Sequence, residues 1–340
     1  MKESQLKDFG VGFKNAAKVN IGSIVAFAFV FIVSIFVSSR FCTVSNLLSV
    51  MRNAATNSIC AFAMTFVMIT GGIDLSVGSF MSLSGCLCTV LVAWKNFPLP
   101  AAILLSLCVG AVYGLINGLI ITKLNMPPFI VTLAAMNILR GSSYLMTDGR
   151  PVIIDNKVFA EIGGGLWNNI PIPVFYVIVL FIVFWFLLNR TRFGRHVYAV
   201  GGNITAAKYS GIKTDKVITI TYVLSGLMAS FAGIILSSRL NSGQPIIGDG
   251  AEMDAIAACV VGGVAMTGGA GTLFGTQVGA FIIAILSNIL NLSGINSYAQ
   301  LVAKGIVILV AVYLYSLRDA KKGIRFMRIK NRKSNENSGI

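Results

Sequence analysis

Two stretches concentrate the polar chemistry of an otherwise apolar chain. In "ITGGIDLSVGSF" (69–80), Asp74 and Ser76 follow the pair Gly71-Gly72. A carboxylate or hydroxyl at this spacing can accept the free amides that open a helix, and glycine leaves helical geometry at little steric cost. In "SSRLNSGQPIIGDGAEMDAIAACVVGGVAMTGGAG" (237–271), Arg239, Gln244, Asp249, Glu252 and Asp254 lie where apolar runs adjoin. Ionisable groups near a bilayer are costly and commonly mark a path or a paired site. The same residues also suit an external rim, with Glu252 and Asp254 in a first helical turn that favours negative charge. Asn117, Asn137 and Asn288 can hydrogen-bond a hydroxylated ligand or simply a neighbouring helix.

The residues that are missing narrow the chemistry. No GxxxxGK[ST] phosphate loop is present, so the chain does not hydrolyse ATP by that route. The single histidine, His196, sits in a basic loop, and no Ser-His-Asp or Cys-His arrangement is visible. Cys42, Cys60, Cys86, Cys88, Cys108 and Cys259 lie mostly within apolar runs, a pattern that points to neither a metal site nor a disulfide framework. The reading is of a chain that is not an enzyme and carries no cofactor.

The elements that must hold these groups are membrane helices. Of 340 residues, 56% are hydrophobic and 11% charged, and mean hydropathy is +0.82, against about 25% charged residues in soluble domains. Runs near the 20 or so residues needed to cross a bilayer fall at roughly 20–38, 53–70, 79–94, 100–121, 128–146, 171–188, 217–237, 251–267, 272–291 and 298–316. The expected fold is therefore an all-α polytopic membrane protein of about ten helices with broken or re-entrant segments, 251–267 being the weakest span. Its organisation is an N-terminal tail (1–19), a membrane domain (20–316) and a basic C-terminal tail (317–340). The net charge of +15 gathers in both tails and in the loop 189–216. That is the bias that retains segments in the cytoplasm and attracts anionic lipid, and it argues against nucleic acid. An even number of spans places both termini on that same side.

The connection at 71–76 is too short for a solvated loop, and irregular backbone at membrane depth is tolerated only inside protein or beside a water-filled cavity. Two readings stand: a tight hairpin in which Asp74 is a cap, or a flexible element at a substrate path or gate. The segment 147–173 suits an outward lid or docking surface. In the loop 189–216, Asn203 can cap a short helix "ITAAKYS" that Gly211 closes. "GGIDLSVGSFMSLSG" (71–85) and "GGVAMTGGAGTLFGTQVG" (262–279) echo one another, as duplicated transporter halves do and as two glycine-rich strings also do by chance.

"TGGIDLSVGS", "NMPPFIVTLAAMNILRG", "TRFGRHVYAVGGNITAAKYSGI" and "EMDAIAACVVGGVAMTGGAGT" closely resemble the membrane permease family of bacterial ABC sugar importers, of which ribose permeases are typical. The resemblance runs in order from about residue 40 to residue 316. It implies one half of a homodimeric pore in the inner membrane, a separate cytoplasmic ATPase, an extracytoplasmic sugar-binding protein and a monosaccharide cargo. It also implies an ATPase-coupling helix, a role that falls here on Gly194, Arg195, Tyr198, Gly201, Asn203, Ala206, Ala207, Ser210 and Gly211. The rival expectation is a secondary carrier or facilitator that works without an ATPase, which broken helices also suit. Against it, no relay of His or paired acids lies deep in the spans.

Overall fold

The computed structural model describes residues 20–296, 298–306, 309 and 313. The expected tails 1–19 and 317–340 lie outside the described residues, as does much of the expected span 298–316. Residues up to Ser293 belong to one compact unit and those from Gly294 to another. In the second unit, 298–306 are helical.

The first unit is built from helices α1 (Ile21–Val37), α2 (Val44–Ile69), α3 (Val77–Ala93), α4 (Leu99–Lys123), α5 (Pro128–Thr147), α6 (Lys157–Gly164), α7 (Ile172–Arg190), α8 (Arg192–Gly202), α9 (Ile204–Tyr209), α10 (Thr214–Leu240), α11 (Ala251–Val261) and α12 (Leu273–Leu292). Proline opens α4, α5 and α7, where its missing amide costs nothing. Among the described residues five helices, α4, α5, α7, α10 and α12, are long and apolar enough to cross a membrane, and α1 and α3 are shorter apolar helices. Helix α2 begins nine residues before the expected 53, and Asn46 in its early turns is tied to α12. Asn46 on α2 and Asn288 on α12 exchange amide bonds of 3.0 and 2.8 Å. Asn288 is thus a packing residue.

Helix α10 is the central post, buried against α2, α3 and α4. Small residues bring its backbone close: a Cβ at Gly114 of α4 would lie 2.4 Å from the Tyr222 carbonyl, a spacing only glycine permits. Strands β1 (Val152–Ile153) and β4 (Ser242–Gly243) pair antiparallel, while β2 (Leu166–Trp167) and β3 (Ile170–Pro171) form a hairpin. The first pair ties the 148–171 segment to the stretch that follows α10.

That stretch, 241–250, runs beside α3 in the opposite direction. Gly243 lies against Gly85 and Cys86, Ser82 Oγ donates to the Pro245 carbonyl at 2.7 Å, and Gly248 lies against Gly78 at the start of α3. Helix α11 therefore begins inside the bundle. Its 11 residues make about 16 Å, well short of the ~30 Å hydrocarbon core, so the expected span 251–267 is helical only to Val261. The non-helical stretch and α11 together cross the bundle.

Candidate functional site

The break after α2 is held by a carboxylate. Gly71 leaves the helix at φ +84°, and the amides of Gly71 and Gly72 close back on the Met68 and Val67 carbonyls. Asp74 is 1% exposed. Its Oδ1 accepts from the Ser76 amide at 3.0 Å and from Ser76 Oγ at 2.5 Å, and its Oδ2 accepts from Ser225 Oγ of α10 at 2.7 Å. Asn117 of α4 donates to Ser76 Oγ at 3.4 Å, and Tyr222 of α10 donates to the Ile73 carbonyl at 3.3 Å. The hydroxyl of Ser76, the residue that precedes α3, is spent on Asp74 and makes no bond to an α3 amide. Asp74 is thus the hub that fixes the break, and Ser76 is one of its donors rather than a cap. A cavity of about 370 Å³ opens beside the break, lined among others by Gly71, Gly72, Asn125, Asp215, Tyr222 and Ile204.

The second expected cluster is spread along 242–254. Gln244 donates to Ser242 Oγ at 2.9 Å. Glu252 is buried beside Gly78, and Asp254 is half-buried in the first turn of α11. The Asp249 side chain is 80% exposed, 4.0 Å from Arg140. Arg239 stands apart and donates to Asn53 of α2 at 2.7 Å. What holds the stretch is Arg140 of α5, whose Nη1 donates to the Pro245 and Ile247 carbonyls at 2.6 and 2.8 Å. Sequence reasoning missed Arg140, although it is the one charged residue inside the 128–146 run. Asn117 joins the Asp74 cluster, whereas Asn137 is exposed and donates to the Leu133 carbonyl of its own helix. Gly78, against both Gly248 and Glu252, is where the two clusters touch.

The basic loop forms two helices where one was expected. Thr191 caps α8 by accepting from the Gly194 amide, and Gly194, Val197 and Val200 are buried. The Tyr198 hydroxyl donates to the Gly271 carbonyl at 2.7 Å, and burial pushes its phenol up to about 12, so it stays a neutral donor. Gly201 lies against the bundle backbone, while Arg195 is exposed. Asn203 caps α9 by accepting from the Ala206 amide at 2.9 Å, and Gly211 follows at φ +81°, as the sequence predicts. Ala207 is buried, whereas Asn203, Ala206, Ser210 and Gly211 are exposed. Ile204 and Tyr209 show 50% and 90% of their surface. Apart from the exposed Arg195 and the buried Ala207, the expected coupling residues thus divide into an inward set on α8 and an outward set around α9.

A bundle of apolar helices with a buried polar break and an exposed loop helix is the build of a multi-pass membrane component of a transporter. The chain belongs to the family described as branched-chain amino acid transport system / permease component, whose model matches residues 46–312. It is similar to the ribose import permease protein RbsC of Bacillus subtilis (strain 168), at 48% identity over 290 residues, 85% of this chain and 89% of that protein. The ribose import permease protein RbsC of Escherichia coli (strain K12) is 42% identical over 279 residues, 81% of this chain and 87% of that protein. The xylose transport system permease protein XylH of Haemophilus influenzae is 35% identical over 342 residues, 83% of this chain and 91% of that protein. No solved structure matches the chain significantly.

Proposed function

We propose that the chain is the permease subunit of an ABC importer that carries a monosaccharide, ribose or a close relative, across a bacterial inner membrane. The observation that carries this reading is the 48% identity to a ribose import permease along 290 residues. An ATP-independent carrier is not favoured by those relatives. In this reading ATP is hydrolysed by a separate cytoplasmic subunit and sugar arrives from an extracytoplasmic binding protein. Two copies of this chain form the pore, with about ten spans each and both termini in the cytoplasm. The loop 189–216 then faces the ATPase, which suits the exposed Ile204 and Tyr209 on α9. Arg190, stacked 5.7 Å over the Trp185 ring at the end of α7, suits a membrane surface with anionic lipid.

The translocation path runs beside the two non-helical stretches. Sparse polar groups such as the half-buried Gln244 would hold a sugar weakly, leaving selectivity to the binding protein, while the buried Ser76 and Asn117 support the break from behind. The Asp74 break changes access as the ATPase engages and releases.

The test is copurification in mild detergent of the tagged permease with its ATPase, comparing wild type with the double change Asn203→Ala/Gly211→Val. Recovery of an ATPase by wild type and its loss from the variant supports the reading and the α9 interface. An ATPase retained by both moves the interface elsewhere. Sugar uptake into vesicles with no ATPase bound to wild type sinks the importer.

A further inference from the structure

Three glycine pairs, distant in sequence, meet at the end of the bundle that carries α8: Gly71-Gly72, Gly201-Gly202 and Gly268-Gly269. The Gly269 amide donates to the Ile69 carbonyl at 2.8 Å, tying the end of α2 to the segment that leads into α12. A Cβ at Gly201 would lie 1.7 Å from that carbonyl oxygen and 2.6 Å from the Gly269 nitrogen, inside the hydrogen bond itself. A Cβ at Gly268 would come within 3.0 Å of both the Gly201 carbonyl and the Gly71 nitrogen. One turn earlier on α8, Tyr198 grips the Gly271 carbonyl, directly before the Thr272 cap of α12. At the neighbouring Gly202 and at Gly211, by contrast, a Cβ would meet nothing within 4 Å.

The end of α8 therefore rests, backbone on backbone, on the single bond that joins the two glycine-rich breaks. Asp74 lies five residues beyond Ile69 along the chain. Contacts without side chains have no rotamers to absorb a displacement, and close-packed elements pass strain on rather than deforming.

We propose that Gly201, with the Ile69 carbonyl and Gly268-Gly269, is the joint through which movement of the 191–213 loop reaches both the Asp74 break and α12. Gly201 and Tyr198 are then positioning residues that face the membrane domain, not residues that touch the ATPase. The inference rests on the importer reading for the source of that movement.

The experiment uses the full permease in nanodiscs with the ATPase that copurifies from its own membranes. Hydrogen exchange of the 70–76 amides is compared in ATP with vanadate and without nucleotide, and sugar uptake is measured in parallel. Gly201→Ala should keep its ATPase, lose the nucleotide-dependent change in exchange at 70–76, and lose uptake at least tenfold. Gly202→Ala should match wild type in all three readouts. Tyr198→Phe, a change that deletes one hydroxyl, should lower uptake several-fold and shrink the exchange response, which keeps the inference open to failure should Gly201→Ala not fold. Normal coupling in Gly201→Ala, an unchanged exchange response in Tyr198→Phe, or equal damage from Gly202→Ala would overturn it while leaving the importer reading intact. A wild-type preparation that binds no ATPase would overturn both.

Discussion

Two stretches of unwound backbone enter the bundle, and side chains of opposite charge hold them. The first, 70–76, leads into the N-terminus of α3 and is gathered by the Asp74 carboxylate, which accepts from an amide and two hydroxyls. The second, 241–250, follows the C-terminus of α10 and is gathered by the Arg140 guanidinium, which donates to two carbonyls. Both stretches run from the C-terminus of one helix to the N-terminus of the next, where main-chain groups lack intrahelical partners. Asp74 supplies acceptors to an amide and two hydroxyls at the first, and Arg140 supplies donors to two carbonyls at the second. Where water is excluded, an unmade bond costs more than a made one returns. These charges are first a condition for having irregular backbone there at all, and a path for cargo can be built only on top of that.

The largest effect is expected at Arg140. Arg140→Met fills similar volume but strands the Ile247 carbonyl and leaves that of Pro245 with the Ser82 bond alone, each losing a bond to a charged donor worth about 1.5–3 kcal/mol. Purified permease in detergent should lose about 3 kcal/mol or more, with hydrogen exchange rising at 244–250 and not at 70–76. Arg140→Lys should recover part of this, since an ammonium is a point donor without the planar fork. An Arg140→Met protein with wild-type melting would mean that the β1–β4 ladder and the Ser82 bond suffice.

Next in size is the place where the two regions touch. A Cβ at Gly78 would lie 2.1 Å from the Gly248 carbonyl oxygen, and backbone cannot swing aside as a side chain does. Gly78→Ala should cost about 1–3 kcal/mol, as overpacking does, and raise exchange in both stretches at once. A rise in only one would show that they are held independently.

The two stretches also differ in how far the sequence discloses them. The first is local: Gly71, Gly72, Asp74 and Ser76 fall within six residues, so a break and its acceptor can be read together. Asn203 and Gly211 are legible for the same reason, being a cap and a stop around one short helix. Arg140 is not legible, because its acceptors are main-chain carbonyls 105 and 107 residues further on, and a carbonyl has no residue type. Helix α8 is hidden because its glycines and charges read as loop, and only packing shows that Gly194, Val197 and Val200 make a buried face. Asn137 stands on the exposed side of α5, away from the Asp74 cluster that Asn117 joins, a difference between two asparagines that only packing shows. What the sequence conveys well is chemistry satisfied nearby.

Asp74 separates the structural part of its role from the functional part. Asp74→Asn keeps an oxygen for Ser225 or Ser76 but not the charge, and should cost about 1 kcal/mol, whereas Asp74→Ala strands the donors and should cost about 1–3 kcal/mol. If the break works as a gate, uptake falls in Asp74→Asn by more than this modest loss of stability explains. Normal uptake in both variants would leave Asp74 a structural fastening only.

The smallest effect belongs to a charge pair that does no such fastening. Lys123 and Asp215 meet at 3.1 Å near the same break, but their side chains are 65% and 48% exposed. Solvent and salt screen such a pair, which is worth at most about 1 kcal/mol and often nothing measurable. Lys123→Ala should therefore leave melting within about 1 kcal/mol of wild type, and raising salt should erase even that difference. A loss on the scale expected for Arg140→Met would show that exposed charges near the break also hold its backbone. The buried Asp74 and the half-buried Arg140 would then share their fastening role with the rim of the cavity beside Gly71 and Gly72, where Asp215 also stands.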